Sequence, residues 1–295
     1  MPTYREALRA ATERLRASGV DTARLDAEVL LCHVAGIDRA ELYRRLPEPV
    51  DFPLAAFWHL VERRAQGEPV AYLTGYREFY GLDFVVTPAT LIPRPETEFL
   101  VAWATARLRE RTDRARCVDV GTGCGAIVIA IAATLGPDHP ALLVGSDRSL
   151  AALRVARLNR ERLAPGRVHL VCGEFLAWCR GPLDLVVANL PYLRPEQWHP
   201  GLAYEPPEAL FAPDDGFGLY AQLLPQVSER LRPGGGFAFE IDPSQAERAV
   251  AAARRFFPDA AVTLLPDLAG RPRYVTVERE DETPGRATRR GRSLG

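Results

Sequence analysis

From the amino end, the chain first sets its apolar residues at helical spacing: Leu8 and Leu15, then Leu25, Val29, Leu30 and Val34. Asp21 stands where the second run wants an N-cap, and Gly36 where a helix stops. A third helix is expected over roughly Pro53 to Gln66, ended at Gly67 with Pro69 just beyond. The pattern then changes. Phe79, Tyr80, Leu82, Phe84, Val85 and Val86, with Gly81 and Asp83 among them, read as a β-hairpin between Tyr76 and Pro95. Pro88, Pro93 and Pro95 hold the chain extended up to a helix that starts near Glu96 and runs to about Arg109.

Beyond Arg116 short apolar runs alternate with helical stretches, which predicts a parallel sheet with helices on both faces. The strand runs are Cys117 to Val120, Ala141 to Ser146, Val168 to Cys172, Leu183 to Ala188, Gly236 to Ile241, Ala261 to Leu265 and Tyr274 to Glu278. A helix over Ser244 to Phe257 separates the fifth from the sixth. Only Pro266 to Arg273 separates the last two, too few residues for a crossover helix, so that pair is expected to be antiparallel. The fold class is therefore α/β: a doubly wound, mostly parallel, seven-stranded Rossmann-like sheet behind a small all-helical domain. The expected organisation is a helical domain at 1–75, a hairpin linker at 76–95 and the sheet domain at 96–280. Residues 281–295, with four Arg, two acids and no apolar cluster, read as a disordered tail.

A length of 295 residues with 47% hydrophobic and 25% charged residues suits two globular domains, one of them small. All 37 basic residues are Arg; the absence of Lys removes Schiff-base chemistry and a phosphate-loop Lys. Against 38 acidic residues the net charge is -1, which argues against a protein that holds nucleic acid by a basic surface. With no 18-residue apolar run and a charged amphipathic start (Arg5, Glu6, Arg9, Glu13, Arg14), a cytoplasmic monomer without membrane contact is expected. Cys32, Cys117, Cys124, Cys172 and Cys179 form no C-x-x-C pair, so neither a zinc site nor a disulfide framework is expected.

The first strand of the sheet runs into Asp119-Val120-Gly121-Thr122-Gly123-Cys124-Gly125-Ala126 and then a helix. Such a turn lets backbone N–H groups and a helix N-terminus approach a ligand, at the edge where open α/β sheets bind nucleotides. Asp147 closes the second strand, where a carboxylate can accept both ribose hydroxyls. The turn by itself leaves the cofactor open: Gly121, Gly123 and Ala126 also satisfy the dinucleotide pattern of an NAD site. The tight form, with an acid closing the strand, favours S-adenosylmethionine, which has no pyrophosphate to seat.

The fourth strand delivers Asn189-Leu190-Pro191-Tyr192 to the same edge. An Asn side-chain oxygen and the backbone carbonyl after it are two acceptors, and Tyr192 is a flat wall. Together they suit a planar NH2 group, whereas a bare turn would use Asn and Pro merely to stop the strand.

Asn-Leu-Pro-Tyr resembles the Asn-Pro-Pro-Tyr motif of amino methyltransferases that act on planar nitrogen. Within that group the chain is similar to the HemK/PrmC-type release-factor glutamine methyltransferases. The supporting stretches are Gly67 to Gly75, Glu78-Phe79, Thr90 to Glu98, Tyr204-Glu205-Pro206, Ala209-Leu210 and Asp215-Gly216, and the likeness spans Tyr4 to about Arg279. The resemblance implies methylation of the side-chain amide of the Gln in the Gly-Gly-Gln loop of class I peptide-chain release factors. It implies that Asn189 and the Leu190 carbonyl hold the amide, that Pro191 and Tyr192 complete the substrate wall, and that the catalytic pair is Asn189 and Tyr192. It further implies donor contacts at Gly121, Thr122, Gly123, Cys124, Gly125, Asp147, Phe175 and Asn189. Glu174 is a weaker candidate for the adenine amino group, and Arg94, Glu96 and Glu98 are candidates for the pocket border, although capping or a surface ion pair would explain the two acids equally well.

Two positions depart from the family pattern: Leu190 replaces the first Pro of the tetrad, and Asp242 stands where a Gly is usual. Leu keeps the carbonyl but frees φ and adds an N–H. Two other functions remain open: an adenine methyltransferase on DNA or RNA that flips a base onto Tyr192, and an inactive donor-binding partner of release factor or ribosome.

Overall fold

The computed structural model describes residues 1–281. The tail reading concerns 281–295, of which 282–295 lie outside the described residues. Five helices come first: α1 (Tyr4–Ala17), α2 (Ala23–Ala35), α3 (Arg39–Arg45), α4 (Leu54–Ala65) and α5 (Val70–Thr74). They close around their own core of Tyr4, Leu8, Leu15, Leu30 and Phe57. Two of the five were not anticipated. Helix α3 buries only Leu42 and depends on the Asp38 side chain accepting from the Glu41 N–H, so it shows no apolar stripe. Helix α5 has five residues, too few for a period. Asp21 does not cap α2: Thr22 holds that position without a side-chain bond, and the Ala23 N–H is taken by the Val20 carbonyl.

Strands β1 (Tyr76–Phe79) and β2 (Leu82–Val85) form the expected antiparallel hairpin. Phe79 and Phe84 pack edge-to-face at 6.0 Å and are buried against the sheet core, each contributing about 1.5–3 kcal/mol of burial free energy to docking the hairpin. A 3₁₀ turn over Pro95–Thr97 leads into α6 (Glu98–Arg109).

The remainder alternates β3 (Arg116–Val120), α7 (Ala126–Leu135), β4 (Leu142–Asp147), α8 (Leu150–Leu163), β5 (Val168–Cys172), β6 (Leu183–Ala188), α9 (Gly218–Arg230), β7 (Leu231–Glu240), α10 (Ala246–Phe256), β8 (Ala260–Pro266) and β9 (Pro272–Arg279). The seven strands lie in the order β5-β4-β3-β6-β7-β9-β8, with β9 antiparallel to both neighbours as the short connection required. Strand β7 begins five residues before the expected Gly236, because Leu231 pairs with Leu183 across an irregular stretch in which Pro233 and Gly234 disguise the strand. Along β6 the faces alternate: Leu185 and Val187 point to the core under α6, α7 and α8, while Val186 and Ala188 point to the core under α9 and α10.

Strand order reverses at β3, whose neighbours β4 and β6 are reached by crossovers in opposite directions, so a crevice opens beyond the carboxyl ends of β3 and β6. None of the described helices is long and apolar enough to cross a membrane.

Candidate active site

The crevice is a cleft walled by the ends of β3, β4 and β6 and by the segments that follow them. Gly121, Thr122, Gly123, Cys124, Asp147 and Phe175 line it, as do Asn189, Leu190 and Pro191. Gly121, Gly123 and Gly125 all have left-handed backbone, with φ of 74°, 56° and 85°, and together they fold the turn back on itself. Gly125 does not reach the cleft. It sits at the N-cap of α7, where an added Cβ would stand 2.6 Å from Ile129, so its size serves helix packing.

Glycine cannot cap α7 with a side chain, and Asp119 does so instead. One of its carboxylate oxygens accepts from Thr122 Oγ1 at 2.6 Å and from the Val128 N–H at 3.3 Å. The other has no partner among the described residues, and burial pushes the carboxyl up to about 7 despite those two bonds. A carboxyl whose folded value exceeds its unfolded one holds its proton more tightly in the native state. Its stabilising contribution is complete below about pH 4 and is lost as pH rises through about 7. Asp119→Asn is therefore expected to flatten that part of the profile of unfolding free energy against pH; parallel profiles for variant and parent would refute it.

Asp147 ends β4 with both oxygens engaged: Oδ2 accepts from the Gly123 N–H at 2.9 Å and Oδ1 from the Ser149 N–H at 2.8 Å. The carboxylate thus ties the glycine turn to the start of α8 and faces the cleft. Phe175 follows β5 with a φ of 46°, a strained setting for an aromatic, fixed by bonds to its carbonyl from Trp178 Nε1 at 2.9 Å and Ser146 Oγ at 3.5 Å. Glu174 also lines the cleft, from an exposed position.

At the end of β6, Asn189 donates from Nδ2 to Thr97 Oγ1 at 2.8 Å. Neither its Oδ1 nor the Leu190 carbonyl is hydrogen-bonded among the described residues. Two free acceptors thus belong to adjacent cleft-lining residues. Tyr192 is not on the cleft wall; it is half-buried, and its hydroxyl donates to Glu240 Oε1 at 3.0 Å, with burial raising the phenol far above its ordinary value. Its carbonyl accepts from Gln245 Nε2 at 3.1 Å and lies so close to Gly216 that a Cβ there would meet it at 2.1 Å. The Asp215-Gly216 pair is therefore read as backbone clearance for the tetrad.

The Leu190 N–H, which a proline would lack, is accepted by the Tyr220 hydroxyl at 3.0 Å; that hydroxyl donates in turn to the Glu240 carbonyl at 2.6 Å. The Leu190 side chain fills the space over Gly121, where a Cβ would stand 2.7 Å from it. Tyr220→Phe strands a buried donor and a buried acceptor and is expected to cost about 1–3 kcal/mol in chemical unfolding. In a Leu190→Pro background the cost should shrink, since only the Glu240 carbonyl is then left unpaired; equal costs in the two backgrounds would show no coupling.

Of the remaining sequence stretches, Thr90, Arg94, Thr97, Pro206 and Ala209 line the cleft, whereas Glu96 and Glu98 do not border it. Buried Glu205 accepts from the Ile92 N–H at 3.1 Å and pairs with Arg94, which lines the cleft. The Tyr72 hydroxyl donates to the Thr90 carbonyl at 2.7 Å. Glu98 makes neither a cap bond nor an ion pair among the described residues; its Oε1 accepts from the Tyr80 N–H at the hairpin tip at 3.0 Å. Glu96 offers its carbonyl to the Tyr274 hydroxyl at 2.7 Å. Asp242 caps the 3₁₀ turn over Pro243–Gln245 and accepts from Gln197. Three residues that sequence reasoning passed over matter here: Thr97, Glu240 and Asn159. Asn159, fully buried on α8, accepts from the Val85 N–H and donates to the carbonyls of Val85 and Cys124, pinning hairpin to glycine turn. Its only signal in the sequence is that it is one of two Asn in the chain.

Residues 6–75 match the family model described as the PrmC N-terminal domain, and residues 111–255 match a methyltransferase domain. The release factor glutamine methyltransferase of Moorella thermoacetica is 43% identical over 288 residues, covering 95% of this chain and 100% of that one. That of Bradyrhizobium diazoefficiens is 40% identical over 291 residues, covering 92% and 94%. This chain belongs to the release factor glutamine methyltransferase family. It is thus a methyltransferase. The fold is also that of the 16S rRNA methyltransferase RsmC of Thermus thermophilus, solved in complex with AdoMet and guanosine, at a TM-score of 0.50 and 18% identity over 70% of this chain and 50% of that one.

Proposed function

We propose that this enzyme transfers a methyl group from S-adenosylmethionine to the side-chain amide nitrogen of the Gln in the Gly-Gly-Gln loop of class I peptide-chain release factors. The observation that carries the reading is the pair of unpartnered acceptors, Asn189 Oδ1 and the Leu190 carbonyl, on residues of one cleft wall. An amide NH2 has two protons to give and needs two such acceptors.

The cleft suits the donor. The left-handed glycine turn, the Asp147 carboxylate and the Phe175 ring suit a ligand with a ribose, an aromatic base and an amino-acid arm. When bound, S-adenosylmethionine supplies an electrophilic methyl on a sulfonium. Gly121, Thr122, Gly123 and Cys124 would border its methionine and ribose parts, with Gly125 shaping the turn; Asp147 would accept from the ribose hydroxyls, and Phe175 would cover the adenine. Asn189 would close the donor site on the substrate side.

An amide nitrogen is a poor nucleophile because its lone pair is delocalised into the carbonyl. By accepting both amide protons, Asn189 and Leu190 would fix the direction of approach, which replaces a costly encounter by a bound geometry. As the nitrogen–methyl bond forms and the methyl–sulfur bond breaks, the same acceptors would stabilise the positive charge on nitrogen; S-adenosylhomocysteine leaves and one amide proton passes to water. Pro191 stiffens the wall, and Tyr192, set behind it and anchored on Glu240, would brace the tetrad from outside the cleft. In this reading residues 1–75 grip the release factor, 76–95 link, and 96–280 carry the chemistry in a cytoplasmic monomer that needs no nucleic acid.

The test is transfer of labelled methyl from S-adenosylmethionine to purified release factor, beside a Gln-to-Ala loop variant and DNA and RNA controls. Label confined to intact release factor is expected. Label on nucleic acid would favour the adenine reading, and donor binding without any transfer would favour the inactive partner.

A further inference from the structure

Asn189 can serve as an acceptor only if its amide presents oxygen, and not NH2, to the substrate. The two orientations differ by a half-turn about one bond, and nothing in an isolated Asn chooses between them. Here the choice is made behind it. Glu240, at the end of β7, is 1% exposed, and its two carboxylate oxygens each receive one hydroxyl: Thr97 at 2.8 Å and Tyr192 at 3.0 Å. Thr97, itself 4% exposed in the 3₁₀ turn before α6, has a single proton, and Glu240 takes it. Its oxygen is left with lone pairs, which face Asn189 at 2.8 Å and accept from Nδ2. A flipped amide would set Oδ1 against those lone pairs and leave the threonine bond unmade.

We infer that Thr97 and Glu240 are positioning residues for methyl transfer: a buried carboxylate fixes the Thr97 proton, and Thr97 in turn fixes Asn189 with its oxygen toward the substrate. The same carboxylate anchors Tyr192 through its other oxygen, so one group holds both side chains of the tetrad assigned to the chemistry. The inference rests on the proposed role of Asn189. Burial pushes the Glu240 carboxyl up, and the two hydroxyl donors oppose that shift by favouring the acceptor form.

The test compares Thr97→Val, which keeps shape and loses the hydroxyl, with Thr97→Ser, which restores it. Thr97→Val should lower kcat for whole release factor by about ten- to a hundred-fold, as expected when a reacting group is misaligned, with donor affinity within about two-fold of the parent. Thr97→Ser should recover most of the rate. Glu240→Gln, which keeps one acceptor and turns the other into a donor, should fall between. A second readout needs no turnover. Because the chain has two Asn residues, ¹⁵N-Asn labelling gives two side-chain NH2 pairs, and Thr97→Val should shift that of Asn189 while leaving that of Asn159 in place. An unmoved Asn189 pair together with full kcat in Thr97→Val would overturn the inference and leave the proposed reaction intact. If the parent methylated another substrate, the reading of the reaction would fall, while the amide signals would still decide whether Thr97 holds Asn189.

Discussion

Asn189→Ala is expected to lower methyl transfer to release factor by about 10²–10³-fold, the range seen when one preorganised hydrogen-bonding group is removed from a site of developing charge. The variant loses Oδ1, one of two free acceptors, so one amide proton of the incoming Gln has no partner and the nitrogen loses a fixed direction. Little else changes. The glycine turn, Asp147 and Phe175 reach the cleft from other elements, so donor affinity should stay within a few-fold of the parent. Single-turnover kinetics at saturating donor, beside calorimetry with S-adenosylmethionine, separates the two effects. Parallel loss of binding and transfer would mean that Asn189 serves the donor, and an unchanged rate would remove it from the chemistry.

Asp147→Ala should do the opposite. Its carboxylate is fixed by the Gly123 and Ser149 N–H groups, which leaves further lone pairs for two ribose hydroxyls. Hydrogen bonds to a charged acceptor are worth about 1.5–3 kcal/mol. Donor affinity is thus expected to fall by about ten- to a hundred-fold, with each tenfold corresponding to about 1.4 kcal/mol. The glycine turn also loses its tie to α8, which acts in the same direction. At saturating donor kcat should stay near that of the parent. Unchanged affinity in calorimetry would move the ribose away from Asp147.

That Gly121 to Cys124, Asp147 and Asn189 to Pro191 meet at one sheet edge was legible in the sequence because each run closes a strand, whereas the placement of Gly125 and Tyr192 off the cleft was not. The antiparallel last strand was legible for a similar reason, since the connection before it is too short to allow anything else. What lay hidden is what the fold brings together from afar. Thr97 is 92 residues from Asn189 and 143 from Glu240, and no local pattern couples them. Tyr220 reads as one more aromatic on a helix until its hydroxyl is found under Leu190, where it meets the N–H that this departure from the family tetrad adds. Glu98 looked like a cap or an ion-pair partner because helix starts favour acids; the hairpin tip that claims it is 18 residues away.

In the proposed reaction Asn189 Oδ1 and the Leu190 carbonyl accept the two protons of a glutamine amide. This arrangement is tested most directly by a crystal structure of the enzyme with S-adenosylhomocysteine and a Gly-Gly-Gln peptide. The Gln nitrogen is expected within about 3.2 Å of both acceptors, with the amide oxygen turned away from Asn189. A Gln oxygen facing Asn189, or a peptide seated with its amide bonded to neither group, would contradict it.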